Sequence, residues 1–304
     1  MPTTGQRAAT RPPPKKQQTP AAPEIPFALL RRWNAAMATF HAVLLTITLV
    51  VGNLDLRVDV FTTENEVSYR RENTTEWLME RPDGDGGAVE WRLVPALAPT
   101  ETLYITLATA GFFLISAVFH LLNATLLRGF YERQLRACRS PTRWAEYLLS
   151  APLMFVLIAY GLGLRTRTEL LTTGALVSAT IPYGAWGESV ARPKSPDAWA
   201  DPIAVRALPW ALGHIPQTVA WYVVIERFYG MSSAAPAFVT AILWGEFALF
   251  YSFGVAVLVG LLLPPRAFWR QELGFQVLSL VSKGFLGILL ITNVLMLSRF
   301  EDAF

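Results

Sequence analysis

The sequence predicts an all-α integral membrane protein: a bundle of seven transmembrane helices with a small β-ribbon in its first outer loop. Three observations predict it. The 304 residues are 53% hydrophobic and only 16% charged, with a mean hydropathy of +0.35, which is too apolar for a soluble domain of that length. Seven stretches are nearly free of Asp, Glu, Lys and Arg, and each can cross a hydrocarbon core of about 30 Å, for which roughly 20 residues suffice. Between the first two lies a long polar segment with the period-two alternation of strands.

Residues 1–26 come first. They are rich in Pro, Thr, Ala and Gln, with several basic residues and a single acid, Glu24. Such a segment buries no core and is expected to be a disordered basic tail, suited to contact with anionic lipid headgroups. Residues 27–304 form the helical domain. Its predicted spans are Trp33–Gly52, Leu103–Leu127, Glu146–Leu164, Leu170–Gly187, Ala207–Ile225, Ala235–Leu263 and Leu273–Ser298. Pro152, Pro182, Pro209 and Pro216 fall inside them, as membrane helices tolerate.

The first outer loop, about 54–101, is too long to be a mere connector. Leu54, Leu56, Val58 and Val60 alternate with Asp55, Arg57 and Asp59. A second run, Thr75–Met79, is expected to pair with Ala88–Val94 through a turn at Pro82–Gly87. The resulting ribbon has an exposed edge that favours a homodimer. Asn73, Thr74 and Thr75 form an N-glycosylation sequon in the same loop.

Sixteen of the 26 Lys and Arg residues lie on the side of the N-terminal tail, in that tail and in the segments Arg128–Arg143, Arg192–Arg206 and Arg266–Arg270. The positive-inside rule then puts the N-terminus in the cytoplasm, with the long loop and the C-terminus outside. Cys138 is the only cysteine, so no intrachain disulfide forms.

Ionisable groups at bilayer depth mark functional sites. Lys283 lies near the middle of the last span with no other charge between Glu272 and Arg299, too deep to reach an interface. A buried amine of this kind is either a nucleophile that captures an aldehyde as a Schiff base or one half of a structural or transport ion pair. Glu146, at the start of the third span, is its natural partner, since a buried cation needs an anion close by; the alternative is a helix-surface pair with Arg143. His41 and His120 lie inside the first two spans, where they share a polar cavity or make interhelical hydrogen bonds. No third His or Cys stands at ligand spacing, so a metal site is not expected. His214 has no assigned role. Glu246, in the sixth span, is either a hydrogen-bonded buried carboxyl or a station on a proton path.

At these residues the chain resembles the heliorhodopsin family, retinal proteins with an inverted membrane orientation. The run Arg143, Trp144, Ala145, Glu146, Tyr147, Leu148, Leu149, Ser150 is similar to that family's third-helix signature, and Ser279, Leu280, Val281, Ser282, Lys283 to its lysine motif. Asn34–His41 resembles its first helix, Phe112–Thr125 its second, and Gly184–Glu188 the end of its fourth. Ala151 departs from the frequent second serine, and Glu246 lies in a helix that is mostly apolar in the family. The resemblance implies all-trans-retinal as a Schiff base on Lys283 with Glu146 as counterion. It further implies a proton cavity of His41, His120, Ser279 and Ser150, a pocket wall of Trp144, Tyr147 and Met154, and a dimer contact through the ribbon.

Proton pumps of this architecture use further acids on the lysine helix and along the third helix. Here the residue four before the lysine is Ser279, and the residue eleven beyond Glu146 is Leu157. The expected function is therefore a non-enzymatic light sensor that signals through conformational change to a cytoplasmic partner, with no nucleic-acid role. The alternative is a light-activated proton conductor using Glu246 and Glu226.

Overall fold

The computed structural model describes residues 25–71, 74–81, 89–230 and 235–303. The predicted disordered tail falls almost wholly outside the described residues, as do Asn73 of the sequon and the turn Pro82–Gly87.

The helices are α1 (Phe27–Val51), α2 (Ile105–Ala124), α3 (Arg128–Arg136), α4 (Pro141–Gly161), α5 (Arg167–Val190), α6 (Ile203–Gly230), α7 (Ala237–Leu262) and α8 (Phe268–Asn293). All but the short α3 match a predicted span. α1, α2, α4, α7 and the stretch Pro265–Asn293 are long and apolar enough to cross a membrane, which makes this a multi-pass membrane protein. α5 and α6 are equally long but carry charged residues near their ends.

Five of the seven predicted spans begin several residues too late, and the physical reason is consistent. The spans were bounded by charged residues, yet Arg143, Glu188, Arg206 and Glu272 lie within helices and are buried. A charge with partners does not end a helix. Local signals set some of the true ends: Pro141 stands in the first turn of α4, where its missing N–H costs nothing, and Thr166 and Glu169 form a capping box at the start of α5.

The long helices pack in a closed ring, α1 on α2, α2 on α4, then α5, α6, α7, α8 and back to α1. Close approaches depend on glycine. A Cβ on Gly287 of α8 would stand 2.2 Å from the ring of Phe113 on α2, and one on Gly245 of α7 would stand 2.4 Å from Phe285 on α8. The apolar core runs along the ring's interior, with Phe112, Phe113, Phe155, Ala220, Val224 and Leu243 fully buried.

The ribbon is present but is paired differently from expectation. β1 (Arg57–Arg71) pairs antiparallel with β2 (Val89–Tyr104), with a bulge at Val60/Phe61. Val89–Val94 therefore lies against Glu66–Arg71, and the predicted strand Thr75–Met79 is a correction: of it, Leu78 alone makes a bridge, to Tyr69. β-propensity marks what can be a strand but does not choose its neighbour. The predicted alternation does hold where the ribbon meets the bundle. Leu56, Val58 and Val60 are buried in the core, and Phe61 N–H donates to the Arg165 carbonyl at 3.0 Å. A second, minimal hairpin pairs β3 (Pro193–Ser195) with β4 (Ala198–Trp199), in a segment read only as a charged connector.

Candidate functional site

Lys283 lies near the middle of α8 and Glu146 one turn into α4, and the ring of helices brings them together. Lys283 Nζ donates to Glu146 Oε1 at 2.6 Å and to Ser279 Oγ at 3.0 Å. Ser279 is in reach because residues four apart share a helix face. Both members of the pair are almost fully buried, at 3% and 2% exposure. The Tyr147 ring lies 5.3 Å from Nζ, within cation–π range.

On the far side of Glu146 stand the two histidines. Their rings are stacked, with centroids 5.7 Å apart and planes 12° from parallel. His41 Nδ1 lies 2.8 Å from the Met37 carbonyl, and His120 Nδ1 lies 2.9 Å from Asn34 Oδ1. Each Nδ1 therefore carries a hydrogen, because each faces an acceptor. Each Nε2 is buried with no hydrogen-bond partner, and that of His120 lies 3.8 Å from Glu146 Oε2. The two histidines are thus brought into contact, and Asn34 joins them through His120, a partner the sequence did not disclose.

Trp144, Tyr147, Ser150 and Met154 of α4 line a cleft within the ring that also reaches Ser279, Ser282 and Lys283. Trp144 packs against Gly184 of α5, where a Cβ would meet its ring at 2.2 Å. α6 contributes Trp210, His214 and Gln217, and α7 contributes Phe250 and Phe253. The lining is overwhelmingly apolar.

Arg143 does not pair with Glu146. Its guanidinium bridges Glu188 of α5 and Glu272 of α8 and lies over the rings of Phe275 and Trp144. Tyr131 and Ser140 hydroxyls donate to Glu272 at 2.9 and 3.1 Å, and Ser140 N–H donates to Glu188 at 2.8 Å. Sequence reasoning missed this network. Glu272 is eleven residues before Lys283, three helical turns, and so shares its face of α8; that spacing was the available signal.

Glu246 is fully buried, and its Oε2 accepts a 2.8 Å hydrogen bond from Ser282 Oγ, while Oε1 has no partner. Glu226 is exposed near the end of α6 and does not join it.

A ring of helices around an apolar cleft that ends at a buried amine–carboxylate pair is the architecture of a microbial rhodopsin. The crystal structure of xanthorhodopsin, a light-driven ion pump with dual chromophore, superposes with a TM-score of 0.57 at 12% identity, covering 88% of this chain and 92% of that one. A thermophilic rhodopsin from Rubrobacter xylanophilus matches at 18% identity over 62% of this chain and 81% of its own, with a TM-score of 0.47. No curated protein sequence matches the chain. The heliorhodopsin family profile matches residues 30–295. The chain belongs to the heliorhodopsin family and is a retinal-binding rhodopsin.

The residues present fit that chromophore. The cleft lies between helices of the ring, a place where bundles commonly hold ligands. Its walls are apolar and aromatic, and the one primary amine among its lining residues stands at its end.

Proposed function

We propose that this rhodopsin is a light sensor with its chromophore on Lys283 and Glu146 as the single counterion. The observation that carries the reading is the seclusion of this pair. Glu146 alone among the buried acids bonds to Lys283, while Glu188 and Glu272 are held by Arg143 and Glu246 by Ser282. Bound to Lys283 as a protonated Schiff base, all-trans-retinal supplies visible absorption and a light-driven change of shape.

The chain's own residues then manage charge at Nζ. Glu146 balances it, Ser279 fixes Nζ from its own helix, and Tyr147 covers it with an aromatic face. The residues where a pump needs further acids are Ser279 and Leu157, the latter buried in the core. A proton leaving Nζ therefore has Glu146, His120 and His41 as nearby acceptors, and such a shift alters how α1, α2 and α4 pack. All seven long helices cross the bilayer, with the N-terminus in the cytoplasm, where a partner reads the change, and the ribbon outside. Exposed Trp91, Leu93 and Leu97 on β2 support a homodimer through the ribbon.

Reconstitution tests the reading. Purified apoprotein mixed with all-trans-retinal should develop a visible band, and Lys283→Ala should not. A band that survives the substitution refutes it. A second reading, a light-activated proton conductor, is favoured by the buried Glu246 beside Ser282. Voltage-clamped cells distinguish the two: a photocurrent abolished in Glu246→Gln establishes conduction, and no photocurrent in the wild type leaves the sensor.

A further inference from the structure

The cleft carries polar groups besides those around Lys283. Gln217 lines the wall formed by α6, and its Nε2 is buried with no hydrogen-bond partner. His214, one turn earlier on the same helix, lines the same wall. Its Nδ1 lies 2.7 Å from the Trp210 carbonyl, so Nδ1 carries the hydrogen and Nε2 presents a lone pair. That nitrogen occupies the gap left by Gly254, where a Cβ would approach it to 2.5 Å.

A donor and an acceptor thus stand one turn apart on α6, neither with a described partner, in a cleft lined mostly by aromatic and aliphatic side chains, with Ser150, Thr180, Ser279, Ser282 and Lys283 as its other polar members. Polar groups in such surroundings are ordinarily satisfied, and an entirely hydrocarbon ligand end satisfies neither. Around the ring, α6 is separated from α8 by α7, so a ligand that extends along the cleft from Lys283 meets this wall away from its point of attachment. In a polyene aldehyde captured at Lys283, the part remote from the attachment is the ring.

We propose that His214 and Gln217 recognise an oxygen substituent on the ring of the bound chromophore, and that a ring-hydroxylated retinal is the preferred ligand. The inference rests on the retinal reading above. A hydroxyl donates to His214 Nε2 and accepts from Gln217 Nε2, a ring ketone only accepts from Gln217, and unsubstituted retinal does neither. The expected order is hydroxy, then oxo, then unsubstituted.

The test is a competition. Apoprotein is incubated with equimolar all-trans-retinal and all-trans-4-hydroxyretinal, then in parallel with 3-hydroxyretinal and 4-oxoretinal, and the bound chromophore is extracted and quantified. About tenfold enrichment of at least one hydroxylated form is expected, the scale of one net hydrogen bond at a buried site. Gln217→Leu and His214→Phe, checked for folding by circular dichroism of the apoprotein, should each reduce the enrichment. Equal incorporation of all forms, or an enrichment unaltered in both variants, overturns the proposal. Incorporation of plain retinal that depends on Lys283 without any preference sinks this inference alone. Failure of every form to bind sinks the retinal reading with it.

Discussion

Ser282 donates a 2.8 Å hydrogen bond to Glu246 across the α7–α8 seam, one residue from the amine that holds Glu146. The lysine helix is therefore tied to two acids on two other helices, to Glu146 of α4 through Lys283 and to Glu246 of α7 through Ser282. Ser282→Ala removes the described partner of Glu246 in a fully buried setting. It should cost about 1–3 kcal/mol of stability, read as a lowered thermal midpoint, whereas Ser282→Thr keeps the hydroxyl and should restore most of it.

Glu146→Gln should shift the visible band to the red. Removing the counterion charge destabilises the positive ground state of the chromophore relative to its excited state. An absorption spectrum decides it, and an unchanged maximum would assign the counterion role to another group.

Arg143 is the sole basic partner described for both Glu188 and Glu272. Arg143→Leu leaves two carboxylates buried without a cation, and breaking such a set typically costs about 3–5 kcal/mol. The variant should be poorly folded at neutral pH. The triple change that also converts Glu188 and Glu272 to Gln should regain stability, measured by melting in detergent.

At Gly184, alanine would force the Trp144 ring to move, since the added carbon stands 2.2 Å from it. The ring borders the cleft, and overpacking of this kind costs about 1–3 kcal/mol. Retinal uptake by Gly184→Ala should be weakened by about tenfold or more in a spectroscopic titration.

Cys138 lies between α3 and α4, outside the spanning helices. Burial, reinforced by the nearby Glu188, pushes its thiol from 9.0 up to about 11. Because the folded chain keeps this proton after the unfolded chain has lost it, the contribution to stability is full below pH 9 and declines between about 9 and 11. Iodoacetamide should modify the native protein slowly at pH 8.5 and the denatured protein rapidly. Equal rates would contradict the burial.

Much of the site was legible because isolation is itself a signal. A lysine alone in a long apolar run and a glutamate opening the third span could be picked out singly, the serine one turn before the lysine entered through the family resemblance, and the geometry joins all three. The two histidines were legible by depth. The Arg143 network was not, because its partners lie 45 and 129 residues further along and no local pattern links them. The same charges misplaced the helix starts. Gln217 and His214 looked unremarkable in sequence because the meaning of a polar residue on α6 depends on the cleft that the closed ring creates. In the ribbon, the alternation at Leu56, Val58 and Val60 disclosed the buried face, but strand pairing involves residues too distant for alternation to select.

β2 passes into α2 without a connecting loop, Tyr104 ending the strand and Ile105 beginning the helix, and the Leu56 carbonyl accepts from Ile105 N–H at that junction. The helix that carries His120 and the 16-residue strand therefore form one continuous arm with its fulcrum at Tyr104. At about 3.3 Å per residue the 16-residue strand extends roughly 50 Å from that fulcrum, about twice the roughly 23 Å along α2 from the junction to His120. A tilt of α2 too slight to disturb its packing would sweep the far end of the ribbon through a proportionally larger arc, turning a change of charge at the protein's centre into displacement at its periphery.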